Sequence, residues 1–280
     1  MQWSNIDWPV VIAIGLMHIF ALLAFHPAYF SWSAVGVMVL LCWMSGGLGV
    51  TLGFHRLLTH GSFQTPKWMR YLLTAIGCTT LQGSPVQWVG THRLHHAESD
   101  TDHDPHTPRH GFTWAHMLWC MTRNPNGNVA RDAAKDLIRD PVMAWLDRNY
   151  LVPAVVLGLI LLALGGWSWV IWGMCLRTVI VYHGTWFVNS AAHTWGYRNF
   201  NTTDGSRNTW WVAILSFGEG WHNNHHAHQR SAAHGMKWWE FDITYLTILA
   251  MEKVGLAWRV VKPTPDMLES DIAEKSKAAA

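Results

Sequence analysis

The fold of this chain is decided near its start by an uncharged stretch, residues 8–54, which reads WPVVIAIGLMHIFALLAFHPAYFSWSAVGVMVLLCWMSGGLGVTLGF. These 47 residues contain no Asp, Glu, Lys or Arg. A single helix of this length would measure about 70 Å, more than twice the thickness of the hydrocarbon core of a bilayer. The pair His26-Pro27 offers a natural break. The sequence therefore predicts two membrane-spanning helices in this stretch.

A second stretch of low charge covers residues 149–197 and contains one charged side chain, Arg177. The sequence GGW at residues 165–167 is a natural turn near its middle, so we predict a third and a fourth span. The alternative is a pair of long buried helices in the core of a soluble protein, which apolar runs of this length disfavour.

The composition agrees with a membrane protein. Of 280 residues, 50% are hydrophobic and 14% are charged, whereas soluble domains have about 25% charged residues. The same figures exclude intrinsic disorder, and a net charge of +2 gives no basis for nucleic-acid binding. The four cysteines form no C-x-x-C pair, which excludes a disulfide framework and disfavours a zinc-ribbon site. The 18 histidines are left to be explained.

The distribution of Lys and Arg predicts how the chain lies in the membrane. Residues 53–150 carry ten of the twenty, residues 194–280 carry nine, and the two predicted turns carry none. Because basic loops stay in the cytoplasm, both polar segments and both chain termini are expected there. The first span lacks the basic flank and the cleavage site of a signal peptide. The short apolar stretch from Tyr71 to Leu81 is predicted to be interfacial or re-entrant.

These boundaries predict an all-α integral membrane protein with four transmembrane helices and a cytosolic helical cap. The segments are transmembrane helices 1 and 2 (residues 1–54), a cytosolic loop with the interfacial helix (55–148), transmembrane helices 3 and 4 (149–193) and a cytosolic C-terminal cap (194–280).

Histidine is concentrated in three strings and one neighbouring element. The strings are HRLLTH (His55, His60), HRLHH (His92, His95, His96) and HNNHH (His222, His225, His226), and the element is NSAAH (Asn189, His193). Residues three and four apart share a helix face, so each H-x-x-H-H string is expected to aim three imidazoles at one point. The five-residue step of H-x4-H separates its side chains by about 140° on an ideal helix, which predicts a helix end or a distorted turn there.

Nine histidines on the predicted cytosolic side indicate a metal centre, because buried imidazoles without partners cost free energy. A single string could equally be a solvated helix face or a casual metal site. One zinc ion takes three or four ligands, so nine nitrogens fit two ions better than one. Imidazole suits Zn, Cu, Fe and Ni alike, and the strings contain no carboxylate. A dimetal, all-nitrogen site at a membrane surface favours redox chemistry on a lipid, with iron as the metal.

The chain resembles the membrane-bound fatty acyl desaturases, and within them the stearoyl-type delta-9 branch. The resemblance runs from Gly49 to Phe241 and rests on the histidine strings in their order, on DHDPHTPRHGFTWAH (residues 102–116) and on TWFVNSAAHTWG (185–196). It implies four transmembrane helices under a cytosolic cap that holds two iron ions. The nine ligands it implies are His55, His60, His92, His95, His96, His193, His222, His225 and His226. It also implies that Asn189 reaches one metal through water, and that a kinked acyl tunnel is lined by Gln82, Trp88, Thr185 and Trp186.

The resemblance further implies the reaction, in which O2-dependent removal of two hydrogens places a cis double bond, at the delta-9 position, in a saturated acyl chain. Related acyl-CoA enzymes carry an Arg-Asp pair where this chain has Gly90 and Thr91. That departure favours a glycerolipid substrate over an acyl-CoA. A di-iron membrane lipid hydroxylase would use the same histidines, and a membrane metal transporter is the non-enzymatic possibility. The electron donor is expected to be a separate protein, a ferredoxin or else a b-type cytochrome.

Several other residues carry minor expectations. The carboxylates that could orient the imidazoles are Glu98, Asp100, Asp104 and Glu219. Arg177 is expected to snorkel to a lipid head group, and His18 and His183 are expected to be hydrogen-bonded helix residues. Structural roles, or contacts behind the ligands, are expected for His103, His106, His110, His116, His228 and His234.

Overall fold

The computed structural model describes residues 5–123 and 125–269, and the predicted cytoplasmic position of the two chain ends lies outside these residues. Within them, every regular element is a helix, and backbone pairing between extended segments is limited to isolated bridges. The all-α prediction is therefore confirmed for the part of the chain that is described.

Thirteen α-helices follow one another within those ranges, with short 3-10 turns between several of them. They are α1 (Trp8–Leu22), α2 (Trp32–Cys42), α3 (Lys67–Cys78), α4 (Pro85–Glu98), α5 (Phe112–His116), α6 (Gly127–Ala133), α7 (Pro141–Arg148), α8 (Val152–Val170), α9 (Arg177–Ser190), α10 (Trp210–Leu215), α11 (His222–Ala227), α12 (Ile243–Lys253) and α13 (Pro265–Leu268). Two π-helical segments, Trp43–Thr59 and Ile171–Leu176, continue α2 and join α8 to α9.

Three continuous helical stretches are long and apolar enough to cross a membrane: Trp8–Phe25, Trp32–Thr59 and Val152–His193. The third has 42 residues, about twice what one span needs. Its backbone leaves the helical conformation at Gly166, where φ is +61° and ψ is −157°. Glycine adopts this conformation without the steric cost that a Cβ would add.

The chain reverses direction at that glycine. A Cβ built on Gly173 would lie 2.9 Å from Cδ1 of Leu161, so the segments before and after Gly166 pack side by side. The reversal falls within the turn predicted at residues 165–167.

The two uncharged connections lie together at one end of the helices. The Ser168 hydroxyl donates to the Tyr29 carbonyl at 2.8 Å, and the Trp172 indole N–H donates to the same oxygen at 2.9 Å. The Trp169 indole N–H donates to the Ser33 hydroxyl at 3.1 Å. The first histidine string and NSAAH lie at the opposite ends of the long helices, away from both turns.

The α3–α4 connection runs beside the middle of α9. The Tyr182 hydroxyl donates to the Leu81 carbonyl at 3.0 Å, and the Gln82 amide donates to Thr185 Oγ1 at 3.0 Å. Helix α3 begins at Lys67, four residues before the predicted apolar stretch, because Pro66 directly precedes it and occupies its N-cap. Helix α3 packs against the Trp43–Thr59 segment, where Gly49 meets Gly77. The interfacial or re-entrant position of the stretch from Tyr71 to Leu81 stays a prediction.

The prediction that Arg177 snorkels to a head group is wrong. Its side chain is 0% exposed. The guanidinium donates to the Gly173 carbonyl and to the Thr79 carbonyl, each at 2.9 Å. Thr79 is the C-cap of α3, where the carbonyl end of the helix carries partial negative charge. The cation is therefore held by the end of a neighbouring helix instead of by lipid.

A second buried arginine joins the long helices to the C-terminal part of the chain. Arg56 lies directly after His55, is 0% exposed, and pairs with Glu219 at 3.1 Å and with Asp242 at 2.9 Å. It also donates to the Ala232 carbonyl at 2.6 Å. This network fixes the segment that carries the third histidine string against the end of the second long helix.

We expect Gly49→Ala to separate α3 from the Trp43–Thr59 segment. The added Cβ would lie 2.6 Å from the Gly77 Cα and 2.9 Å from the Ile76 carbonyl carbon, and backbone atoms cannot rotate away. Overpacking of this kind costs about 1–3 kcal/mol. The thermal unfolding midpoint of the purified protein in detergent should fall accordingly.

Gly15→Ala in α1 is the matched control, because a Cβ there meets no atom within 4 Å. Its unfolding midpoint should stay the same or rise slightly. An unchanged midpoint for Gly49→Ala would contradict the close packing of the two helices.

Candidate metal centre

The nine histidines expected as ligands form two adjacent groups, within each of which the candidate ligand atoms lie within 4.8 Å of one another. The five-histidine group consists of His55, His60, His92, His96 and His225. The four-histidine group consists of His95, His193, His222 and His226. The His96 and His226 rings, one from each group, have centroids 4.7 Å apart.

The prediction that each H-x-x-H-H string aims three imidazoles at one point is wrong. Residues four apart are offset by only about 40° around a helix, whereas adjacent residues are offset by about 100°. In α4, His92 and His96 therefore share one group while His95 enters the other. In α11, His222 and His226 share a group and His225 crosses over. Each short helix thus contributes to both groups.

The π-helical segment explains how the H-x4-H string works. In a π-helix each N–H bonds to the carbonyl five residues earlier, so side chains five apart come onto one face. The His60 N–H donates to the His55 carbonyl at 3.1 Å in this way. The two rings lie 4.7 Å apart and belong to the same group. The expected distortion is present, and it extends over the segment Trp43–Thr59.

Buried amides fix α11, which has only six residues. Asn224 accepts hydrogen bonds from Asn208 and Asn199 at 2.7 and 2.8 Å, and it donates to Glu240 at 2.7 Å. Asn223 accepts from the Asn199 N–H at 2.8 Å. The sequence analysis assigned a role only to the histidines of HNNHH. The two asparagines inside the string could have indicated this hydrogen-bonded support.

Carboxylates contact the outer nitrogens of four cluster histidines. The Nδ1 atoms of His95, His193 and His226 lie 2.9, 3.1 and 2.7 Å from carboxylate oxygens of Asp104, Asp100 and Asp204, respectively. In the five-histidine group, His55 Nδ1 lies 2.6 Å from Glu219.

Of the four predicted carboxylates, Glu98 accepts a hydrogen bond from Thr101 and contacts none of the nine histidines within the described ranges. Asp204 was missed, because it stands 22 residues before His226 and no local spacing connects them.

Burial keeps most of the cluster imidazoles uncharged. Burial and then the neighbouring imidazoles lower the pKa of five of them well below the ordinary value: His60, His92, His96, His222 and His225. Burial also lowers the pKa of His226 to about 4, although Asp204 opposes the shift. Neutral imidazole has a free lone pair, which is the form that binds metal.

The spacing of the nitrogens fits metal binding. Two nitrogens bound to one ion at about 2.1 Å, with angles between 90° and 109°, lie roughly 3.0–3.4 Å apart. The Nε2 pairs His96–His92, His222–His193 and His95–His226 are separated by 3.0, 3.1 and 3.4 Å. The buried His60 Nε2 atom has no hydrogen-bond partner among the residues described here. The donor set therefore suits two transition-metal ions.

Three of the four residues expected in the acyl tunnel meet beside the five-histidine group. Trp88 Nε1 donates to Gln82 Oε1 at 3.2 Å, and the Gln82 amide donates to Thr185. The Trp88 ring stacks on His92 with centroids 5.2 Å apart. Trp186 points to another side of α9, where it packs with Ile14 and Tyr182.

A buried cleft, which we call the inner cleft, begins at these residues. Its polar end is lined by His55, His92, His222 and Asn189, and Trp88 and Thr185 line its side. Its apolar walls come from the Trp43–Thr59 segment, α9 and the loop after α10, and they include Gly46, Val50, Val181, Gly184, Val188, Leu215 and Phe217. The cleft has a volume of about 50 Å³, with histidines at one end and apolar side walls.

A second cavity, of about 740 Å³, opens on the surface of the protein. It is lined by His96 and His226, one from each group, together with Glu98, Arg109 and Asp266. One imidazole of each group therefore separates this surface from the interior of the centre.

Two further histidines behave as expected in the long helices. His18 contacts the Ile14 carbonyl at 2.8 Å, and its other nitrogen lies 3.2 Å from His183. Beside the groups, His234 Nδ1 lies 3.0 Å from Glu219, and His106 Nδ1 lies 3.5 Å from Asp104.

The sequence matches the fatty acid desaturase family over residues 30–260. It is 52% identical over 256 residues to the sn-1 stearoyl-lipid 9-desaturase of Anabaena variabilis, with 91% of this chain and 94% of that protein covered. The sn-1 stearoyl-lipid 9-desaturase of Synechocystis sp. is 49% identical over 91% of this chain and 80% of its own length. The sn-2 palmitoyl-lipid 9-desaturase of Nostoc sp. is 47% identical over 93% of this chain and 92% of its length.

These matches confirm the resemblance drawn from the histidine strings, and they agree with the long apolar helices of a membrane protein. The chain belongs to the fatty acid desaturase family and is an oxidoreductase.

Proposed function

We propose that the protein is a di-iron, O2-dependent desaturase that inserts a cis-9 double bond into a saturated acyl chain of a glycerolipid. The observation that carries this proposal is the meeting of nine imidazoles, six of them buried, in two adjacent groups, with three of the nine lining one end of an apolar cleft. The names of the cyanobacterial relatives support the substrate and the bond position.

The proposal includes four membrane spans with the histidines on the cytoplasmic side. The reversal at Gly166 supports a division of the stretch Val152–His193 into two spans. The contacts between Tyr29 and Ser168 support a common location for the two uncharged turns. The basic residues favour the cytoplasm for the opposite end, where residues 55–148 and 194–269 would form the cap.

In the balanced reaction, one –CH2–CH2– unit loses two hydrogens and becomes –CH=CH–, and these two hydrogens together with O2, two electrons and two protons form two waters. Two bound iron ions would supply the oxidation of unactivated C–H bonds, for which side chains alone have no chemistry. The Nε2 atoms of the nine histidines would hold the ions. Asn189, which lines the same cleft, would reach one of them through water.

The residues around the histidines would orient and protect the centre. Asp104 and Asp204 accept the Nδ1–H of His95 and His226, which keeps Nε2 free as the ligand atom. Asp100 lies 3.1 Å from Nδ1 of His193 and would favour the same tautomer there. The apolar walls of the inner cleft would exclude water and hold the acyl chain. The hydrogen bond between Gln82 and Thr185, beside Trp88, would set the bend of the chain next to the five-histidine group.

The replacement of the Arg-Asp pair also has a packing reason. A Cβ built on Gly90 would overlap the Ala130 carbonyl oxygen and lie 2.6 Å from its carbon, so α4 and α6 meet at that glycine. An arginine at this position would separate the two helices. The absence of a cationic grip at Gly90 and Thr91 still favours a glycerolipid carrier over an acyl-CoA.

Electrons would come from a separate protein, a ferredoxin or else a b-type cytochrome. The surface cavity of the cap supports a route for them, because His96 and His226 line it and belong to different groups.

We expect His95→Ala to lower the iron content from about two ions per chain and to reduce desaturation by more than about 100-fold, beyond the 10–100-fold typical of outer partners. The substitution removes a nitrogen from the four-histidine group. His103→Ala is the control, because its exposed side chain belongs to neither group. Metal analysis and product formation are measured on protein purified from membranes. Full activity of the His95 variant would remove this residue from the ligand set.

We expect Val181→Phe to shift chain-length preference toward shorter substrates, because Val181 lines the inner cleft and is buried. Lost room for two methylene groups is worth about 1.6 kcal/mol, or roughly a tenfold fall in the kcat/KM ratio of 18-carbon to 16-carbon chains. Ile180→Phe is the matched control, since the neighbouring side chain is 38% exposed. Equal 18-carbon to 16-carbon kcat/KM ratios in the two variants would contradict binding of the acyl chain in the inner cleft.

Expression in a host that lacks monounsaturated lipids, with a labelled saturated fatty acid, tests the proposal as a whole. Mass spectrometry should detect a cis-9 double bond in glycerolipid-bound chains, with the labelled product absent from the CoA pool at early times. A product that has gained one oxygen would identify a hydroxylase. Early label in unsaturated acyl-CoA would favour that carrier, and an unchanged lipid profile would contradict desaturation.

A further inference from the structure

The two histidine groups differ in the negative charge that surrounds them. Three carboxylates contact the four-histidine group, at the Nδ1 atoms of His95, His193 and His226. One carboxylate, Glu219, contacts the five-histidine group, at His55.

The charge of that single carboxylate is already shared. Glu219 pairs with the Arg56 guanidinium at 3.1 Å and also contacts His234 Nδ1 at 3.0 Å. By contrast, within the described ranges no Lys or Arg lies within ion-pair distance of Asp100, Asp104 or Asp204. Apart from the cluster histidines, their polar partners are backbone N–H groups, hydroxyls and one further imidazole: the Asp100 N–H donates to Asp104, the Ser206 N–H donates to Asp204, and His106 Nδ1 lies 3.5 Å from Asp104. None of these partners is a permanent cation. The four-histidine group therefore lies in the more negative environment.

The groups also differ in ligand count, but imidazole is neutral, so the fifth ligand adds no charge. A carboxylate behind an imidazole makes its ring nitrogen more basic and the metal more electron-rich. Negative charge near an iron ion stabilises the ferric state relative to the ferrous state, since the two differ by one positive charge.

We propose that the two metal positions have unequal reduction potentials, so that the first electron goes to the five-histidine position and the four-histidine position stays ferric until the second arrives. This inference rests on the proposed function, because it requires iron in both groups. It assigns Asp100, Asp104 and Asp204 as positioning residues that also set a potential. A protein that receives electrons one at a time from a small donor would then have one defined half-reduced state.

The test is a redox titration of the full-length protein loaded with 57Fe, followed by Mössbauer and electron paramagnetic resonance spectroscopy. The wild-type protein should show two one-electron steps and a half-reduced state with equal amounts of ferric and ferrous iron. Asp204→Asn and Asp104→Asn, made separately, should each raise the lower of the two reduction potentials and leave the upper one in place. The expected shift is at least about 59 mV, which is a tenfold increase in the ferrous-to-ferric ratio for one electron.

Asp136→Asn is the matched control, because this carboxylate pairs with Arg93 at the surface of the cap and contacts no cluster histidine. Asp204→Glu keeps the charge and should keep the lower potential near the wild-type value. Iron content of about two ions per chain, measured for every variant, checks that the centre has formed.

A single two-electron step in the wild-type protein would overturn the inference. It would also be overturned if both aspartate variants shifted the upper potential, or if both left the two potentials unchanged. In each of these cases two bound irons would still leave the proposed function intact. A wild-type protein that binds no iron, or only one ion, would contradict both.

Discussion

The structure depends on the confinement of nine imidazoles whose ring-nitrogen lone pairs face one another. Neighbouring Nε2 atoms approach to 2.9 Å between His225 and His96 and to 3.0 Å between His96 and His92. Two lone pairs at these distances repel one another unless a proton or a cation lies between them. Cations bound to the lone pairs would remove this repulsion, which is why the rest of the chain can hold the rings so close.

The surrounding elements restrain those rings from several directions. The π-helical segment sets His55 and His60 on one face, and the buried asparagines hold the short helix α11. Arg56 connects these supports, since its partners Glu219 and Asp242 lie 163 and 186 residues further along the chain. Removal of one partner of a buried ion pair costs several kcal/mol, roughly 3–5, because a charge is left without compensation. The histidine groups and the C-terminal part of the chain are therefore expected to form as one cooperative unit.

The sequence contained enough information for the helical class, the location of the apolar stretches and the nine histidines, because charge depletion and i, i+4 spacing act over short distances. The assignment of each histidine to one of the two groups could not be predicted from the sequence, because it depends on how α4 and α11 face each other. Asp204 and the support of Arg177 by Thr79 were equally inaccessible, since each contact joins residues far apart in the chain. At Gly90 the sequence analysis considered only the missing charge of the arginine found in related acyl-CoA enzymes. The contact of Gly90 with Ala130 shows that the position also has a steric requirement.

The burial of Arg177 has a consequence for biogenesis. A permanently charged side chain in the last apolar helix is costly to transfer into lipid by itself, about 2.5–3.5 kcal/mol on insertion scales. Its acceptor, the Thr79 carbonyl, stands 98 residues earlier and so leaves the ribosome first. If α3 and α4 are already docked when α9 is delivered, the cation meets its acceptor on arrival. The order of synthesis thus matches the order in which this bundle can be assembled.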